Sequence, residues 1–196
     1  MDKLFLHTCC GPCAMWPLED LRNEGRKVHL FFFNPNIHPL AEWERRRDNA
    51  RKAAEFYGVP LTVLGSSDEE EWIKRAGEGQ ERCRYCYRVR LMQAAEEARK
   101  RGFTAFSSTL LVSPWQKRDL IIEEGERAAR ETGISFLPYD WREGYRQGQA
   151  LAREAGLYRQ RYCGCLISLD ESSYAESIRR DHRELSGRAE GSSGLE

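Results

Sequence analysis

The residues of this 196-residue chain best suited to chemistry are its cysteines. All seven fall in three short clusters: Cys9, Cys10 and Cys13, then Cys83 and Cys86, then Cys163 and Cys165. Grouping of this kind in a reducing compartment points to metal or redox chemistry before structural disulfides. Cys83 and Cys86 stand three apart at an expected helix start, which puts both sulfurs on one helical face and favours their thiolates through the helix N-terminus. With the adjacent pair Cys9 and Cys10 they supply four thiolates, enough for a 4Fe–4S cluster or a tetrahedral zinc. Cys163-Gly164-Cys165 can close a small, strained and easily reduced ring, because glycine permits the unusual backbone angles. That suits a redox-active dithiol; the alternatives are that these two thiols ligate the same metal or simply pack.

The first cluster lies in HTCCGPC, residues 7–13. Its last four residues alone match the dithiol motif of thioredoxins, so a thiol oxidoreductase competes. Against it, Cys10 replaces the usual tryptophan before the motif, the chain is nearly twice as long as that small fold needs, and four further cysteines stay unexplained.

The elements that must position these thiols alternate. Residues 3–8 read as a buried strand, and Gly11-Pro12 turns the chain into a helix from about Cys13 to Asn23, closed by Gly25. Lys27–Phe33 reads as a strand ending at the breaker-rich NPNIHP of residues 34–39, Leu40–Tyr57 as a long charged helix stopped by Gly58, and Leu61–Leu64 as a strand. A helical stretch over Glu69–Lys74 precedes a helix that carries Cys83 and Cys86 to about Arg101. A strand at Phe103–Ser107, a loop at Ser108–Pro114, a helix over Gln116–Glu131 and a strand at Ile134–Leu137 follow. This pattern predicts an α/β fold, an open parallel sheet of about five strands with helices on both faces, Rossmann-like, with a helical C-terminal part from Trp141 to about Arg183. Residues 1–185 form one domain in this reading; 186–196 are a disordered tail whose GSSGLE end reads as a cloning remnant.

In such a sheet, ligands bind outside the carboxyl ends of the strands where strand order reverses. Cys9 and Cys10, NPNIHP, the Ser107-Ser108-Thr109 turn and Asp140 all follow strands, so four loops surround one expected cleft. His7, His38, Asp140 and Tyr162 are candidate proton donors there, while Asn34 and Asn36 fix a turn or contact substrate.

Formal net charge is zero, with 31 basic and 31 acidic residues, so no global positive field draws in a polyanion and any nucleic-acid contact needs a local basic face. Arg82, Arg84, Arg88 and Arg90 form the best such stretch, with Arg45–Arg47, Arg159 and Arg161 as further candidates. Tyr85, Tyr87, Tyr158 and Tyr162 lie among them and could stack on an extruded base. The start of the chain meets His7 too early for a signal peptide and no run reaches membrane-span length, so the expectation is a cytoplasmic protein.

HTCCGPC at 7–13, NPNIHP at 34–39, RCRYCYRVRL at 82–91, STLLVSP at 108–114 and YRQRYCGC at 158–165 resemble the successive signatures of the epoxyqueuosine reductase family known as QueH. The resemblance implies reduction of epoxyqueuosine to queuosine at the tRNA wobble position, a two-electron removal of the epoxide oxygen. It implies a 4Fe–4S cluster on Cys9, Cys10, Cys83 and Cys86, and Cys163 and Cys165 as the redox-active pair. Cys13 is left over, as ligand to a second iron nearby or as a proton donor beside the cluster. Asn34, Asn36, His38, Arg84, Ser108, Arg161 and Tyr162 then stand as substrate-binding candidates and Asp140 as a catalytic one. The partners implied are tRNA carrying epoxyqueuosine in the anticodon and an electron donor that the sequence does not identify. Two other classes compete. ATP-dependent RNA thiolation needs a glycine-rich phosphate loop where HTCCGPC stands, and its one glycine cannot form that cradle. A zinc-stabilised RNA-binding module would use the cysteines only to hold the fold.

Overall fold

The computed structural model describes the backbone of residues 3–192 and the side chains of 3–185. Five parallel strands, β1 (Lys3–His7), β2 (Lys27–Phe32), β3 (Leu61–Val63), β4 (Ala105–Ser108) and β5 (Ser135–Phe136), form one sheet in the order β3-β2-β1-β4-β5. The expected α/β sheet is the one observed. In β1, Leu4, Phe5 and Leu6 are all fully buried, the continuous apolar run that a central parallel strand covered on both faces requires.

Helices α1 (Gly11–Asn23) and α2 (Leu40–Tyr57) connect the first three strands and pack on each other; α3 (Glu69–Arg75) and α4 (Gly79–Lys100) lead to β4, and α5 (Arg118–Thr132), packed on α4, leads to β5. Right-handed crossovers put the first pair and the α4/α5 pair on opposite faces of the sheet. The chain winds outward from β1 in one direction as far as β3, then resumes on the other side of β1 at β4. The reversal falls between β1 and β4, whose ends are aligned with His7 opposite Ser108.

Gly58 stops α2 in the left-handed region, as its position in the sequence predicts, and Gly133 stops α5 in the same way. α1 begins at Gly11, earlier than expected, because Pro12 sits where its missing N–H costs nothing.

The C-terminal part is more broken than a continuous helical reading allows. α6 (Tyr145–Glu154) packs on α1, α7 (Leu166–Asp170) is short, and α8 (Ala175–Ser192) lies on α2. Residues 158–165, with the third cysteine pair, form an irregular loop that follows Gly156 at φ +64° and contains Gly164 at φ +137°. α8 continues through 186–192, where Arg188, Ala189 and Glu190 favour helix, instead of ending at 185. Residues 193–196, the end of the GSSGLE stretch, lie outside the described residues. Among the described residues no helix is long and apolar enough to cross a membrane.

Candidate metal and redox centre

The reversal of strand order between β1 and β4 opens a cavity of about 490 Å³, and six of the seven cysteines line it: Cys9, Cys13, Cys83, Cys86, Cys163 and Cys165. Cys10 lies just behind. Cys9 and Cys10 end the β1 turn and Cys13 is on the first turn of α1, so the ligand atoms of all three lie within 4.8 Å of one another.

Five of the seven sulfurs have a directed partner. Thr109, at the end of β4, donates its hydroxyl to Cys9 Sγ (3.4 Å) and accepts the Cys9 backbone N–H (3.1 Å). The Gln160 amide donates to Cys10 Sγ at 2.9 Å and lies 3.7 Å from Cys13 Sγ. Arg90 Nη1 donates to Cys86 Sγ at 3.5 Å, and the Gln116 amide reaches Cys163 Sγ at 3.7 Å.

Hydrogen bonds from Cys10 and Cys13 hold Cys9 well below the ordinary thiol range. Burial pushes Cys10 up, and hydrogen bonds to Cys10 and Cys9 push Cys13 up. Three thiols thus share one readily formed thiolate, and a cation must replace the remaining protons for all three to ionise. Burial pushes Cys86 up to about 12 against the pull of Arg90. The expected lowering by a helix N-terminus does not reach Cys86, because α4 begins at Gly79 and Cys86 sits about two turns inside it.

The donor chemistry fits a thiolate-held metal group. Soft sulfur ligands converge, N–H and O–H groups point at the sulfurs, and two arginines that are only 2% exposed, Arg46 and Arg90, offset negative charge in the interior. Burial works against the charge on Arg90, but the neighbouring Cys86 and Cys9 outweigh it and keep the guanidinium protonated.

The other predicted residues divide. Asn36, Arg161 and Tyr162 line the cavity with the cysteines. Asn34 donates to the Thr8 carbonyl at 3.0 Å and so ties the NPNIHP loop to the β1 turn. His38 donates Nε2–H to the Pro35 carbonyl at 3.0 Å, and burial keeps its pKa low. His7 donates Nε2–H to the Phe33 carbonyl and accepts the Ser108 hydroxyl on Nδ1 at 2.8 Å. Ser108 therefore latches β4 to β1 instead of facing the cavity. The Tyr162 hydroxyl donates to the His38 carbonyl, which leaves it no proton for a substrate.

Asp140 stands beyond the sheet-edge strand β5, paired with Arg142 at 2.5 Å and Arg118 at 3.7 Å, and is not part of the cavity wall. The reversal point lies two strands inward, so following a strand was not enough to bring this carboxylate there.

The expected basic stretch on α4 is likewise neutralised. Arg82 pairs with Glu171, Arg84 with Glu123 and Glu124, Arg88 with Glu124, and Arg90 is interior. Arg84 faces α5, away from the cavity. Arg161 pairs with Asp181 and Ser177.

Sequence reasoning brought Thr109 to the cleft only as part of a turn and did not single out Gln116, Trp115 or Gln160, whose partners in most cases lie far along the chain. Trp115 lines the cavity and is 81% exposed. Lys117 and Arg159 line the cavity beside it and form no ion pair among the described residues.

A family profile described as "Epoxyqueuosine reductase QueH" matches residues 4–171. Proteins of that description from Thermotoga maritima and Dehalococcoides mccartyi are each 36% identical to this chain. The first alignment spans 95% of this chain and 97% of the relative, the second 85% and 92%. Among solved structures, the U34-tRNA thiolase NcsA from Methanococcus maripaludis, with its 4Fe–4S cluster, superposes with a TM-score of 0.56 at 16% identity over 100% of this chain and 74% of that one. A predicted subunit of tRNA methyltransferase from Methanocaldococcus jannaschii gives 0.54 at 17% identity over 79% and 75%. At these identities the likeness to the two solved structures is one of fold.

Proposed function

The chain belongs to the epoxyqueuosine reductase QueH family, and from that membership we propose that it removes the epoxide oxygen of epoxyqueuosine in tRNA to give queuosine and water. The observation that carries this reading is the convergence of six cysteines on one cavity at the reversal of the sheet. At about 490 Å³ the cavity is of a size that takes one extruded modified base.

We assign Cys9, Cys10, Cys83 and Cys86 as ligands of a 4Fe–4S cluster, which when bound supplies single electrons and a Lewis-acidic iron. Cys13, in the trio with Cys9 and Cys10, is the residue positioned to hold a second iron nearby. Cys163 and Cys165 supply the stoichiometry. Both epoxide C–O bonds break, a C=C bond forms, the oxygen leaves as water with two protons, and the two thiols become one disulfide. An electron donor outside the chain then returns the pair to the dithiol. Cys163 suits the proton-delivering role: its side chain is exposed in the cavity wall, and surrounding protein together with Cys165 raises its pKa, so it carries its proton at neutral pH. Gln116, itself held by the Tyr87 hydroxyl at 2.7 Å, orients that sulfur.

For tRNA, the indole face of Trp115 offers a stacking surface, and Lys117 and Arg159 beside it meet phosphates. A tRNA substrate supports a cytoplasmic location.

The test is anaerobic reconstitution with iron and sulfide, with a Cys83→Ala, Cys86→Ala protein alongside, followed by assay on epoxyqueuosine-containing tRNA. The expected result is a brown protein with about four irons and four sulfides per chain that forms queuosine, both properties being lost in the double variant. A colourless protein holding one zinc and forming no queuosine overturns the reading in favour of a structural zinc module.

A further inference from the structure

Arg46 makes contacts that neither its helix nor the sheet requires. Its Nε donates to Glu42 at 2.6 Å, one turn back on α2, while Nη1 donates to the Cys163 carbonyl at 2.9 Å and Nη2 to the Tyr162 carbonyl at 3.1 Å. From the other side, the His38 N–H donates to the Gly164 carbonyl at 2.9 Å. Three consecutive carbonyls of the cysteine loop are therefore gripped from outside it. Gly164 adopts φ +137°, which side chains rarely adopt, and a Cβ there would lie 3.1 Å from Arg46 Nη1. The two sulfurs sit in different surroundings. Cys163 is exposed, whereas Cys165 is buried in a small cluster with Trp72, Ala76 and Cys86.

Closing Cys163 and Cys165 into a disulfide makes an eleven-membered ring whose backbone consists of the Cys163 and Gly164 peptide units. These units must rotate for the ring to close, and they carry two of the gripped carbonyls. We propose that Arg46 is the positioning residue of the Cys163/Cys165 pair, holding the loop in its dithiol form and so making the pair a stronger oxidant once it closes. This rests on the redox-pair reading above. Glu42 is the anchor. Its carboxylate, fully buried, takes Arg46, accepts the Tyr158 hydroxyl at 3.2 Å and meets His182 Nε2 of α8 at 3.3 Å, so that α8 helps fix the fork that grips the loop. Only a guanidinium can serve Glu42 and two carbonyls at once; a lysine ammonium on a flexible stem keeps the charge and loses the fork.

The experiment uses the full chain, reconstituted anaerobically with iron and sulfide and equilibrated against graded ratios of reduced to oxidised glutathione. The pair and one oxidised glutathione exchange to give the protein disulfide and two reduced glutathiones. After acid quenching and alkylation, the peptide containing Cys163 and Cys165 is quantified by mass. Arg46→Lys is expected to shift this equilibrium about tenfold toward the disulfide, the equivalent of about 30 mV for a two-electron couple. Glu42→Gln, which loosens the fork without removing it, should shift it the same way by less. If both variants lower the unfolding temperature but leave the equilibrium where it is in the parent, Arg46 is a packing residue and the proposal is overturned while the redox pair stands. If the parent chain forms no disulfide between Cys163 and Cys165 at any ratio, the proposal and the redox-pair reading fall together.

Discussion

Replacing Gly11 by alanine tests how the thiol trio is held in place. Gly11 opens α1 between Cys10 and Cys13, and a Cβ there would lie 2.3 Å from the carbonyl oxygen of Asn49 and 2.7 Å from its carbon. Both atoms belong to the backbone of α2, so no side-chain rotation relieves the clash. Ordinary contact begins near 3.4 Å, which asks the two helices to part by about 1 Å. Two effects oppose each other. Gly11 lies outside the left-handed region, so alanine meets no conformational strain and gains up to about 1 kcal/mol of helix propensity. Overpacking of this kind costs about 1–3 kcal/mol. Net destabilisation of about 1–2 kcal/mol is expected. The displacement also reaches the site, because Asn49 Oδ1 accepts the Tyr158 N–H at 2.8 Å and so fixes the segment that brings Gln160 to Cys10. Urea unfolding of the metal-free chain, together with iron and sulfide content after reconstitution, reads both effects. Gly58→Ala is the control: φ there is +63° and nothing lies within 4 Å, so it should cost about 1 kcal/mol and leave iron content unchanged. A Gly11→Ala protein as stable as the parent and with full iron content would refute the reasoning.

Three further outcomes are expected. Gln160→Leu removes the N–H donor on Cys10 Sγ, so the bound cluster should become harder to reduce, seen as a more negative midpoint in a spectroscopic titration; an unchanged midpoint would mean that the amide only fills space. Arg159→Ala should weaken tRNA binding and reduce the salt slope by about one, whereas Arg84→Ala, whose guanidinium is engaged with Glu123 and Glu124, should change neither in a filter-binding series from low to high salt. Burial raises the Glu42 pKa, but Arg46 and His182 outweigh it and hold the carboxyl below its ordinary 4.5. A depressed folded pKa means stability that is present above that ordinary value and lost as pH falls through the folded one. Unfolding free energy of the metal-free chain should therefore drop as the solution is acidified below about pH 4.5, and less steeply in Glu42→Gln, as measured by denaturant titration at each pH.

The sheet was legible because turn formers bracket its apolar runs. Gly25 and Gly58 close helices, NPNIHP ends β2, and a strand as uniformly apolar as Leu4–Leu6 belongs at the centre of a parallel sheet. That alternation also sufficed to bring Cys9, Cys10 and the Thr109 turn to one edge. It did not suffice for Asp140, since only the strand order tells which strand ends meet. Charge was the least legible property. Arg82, Arg84, Arg88 and Arg90 read as a nucleic-acid face until the packing of α4 on α5 sets Glu123 and Glu124 opposite two of them and buries a third. Arg46 carried one visible signal, Glu42 four residues earlier on the same helix, but its carbonyl partners lie 116 and 117 residues away. Gln160 carried none, for the thiols it meets are 150 and 147 residues distant.

The sheet is complete at Phe136, yet the loop that walls the cavity with Cys163 and Cys165 comes later and contributes no strand. During synthesis, therefore, the trio of thiols and the α4 pair can be in place and accessible before residues 158–165 have left the ribosome. If these thiols hold an iron–sulfur group as proposed, that order of emergence leaves them open to it before the loop is made. The last segment, docked through Arg46 and Asn49, then completes the cavity wall.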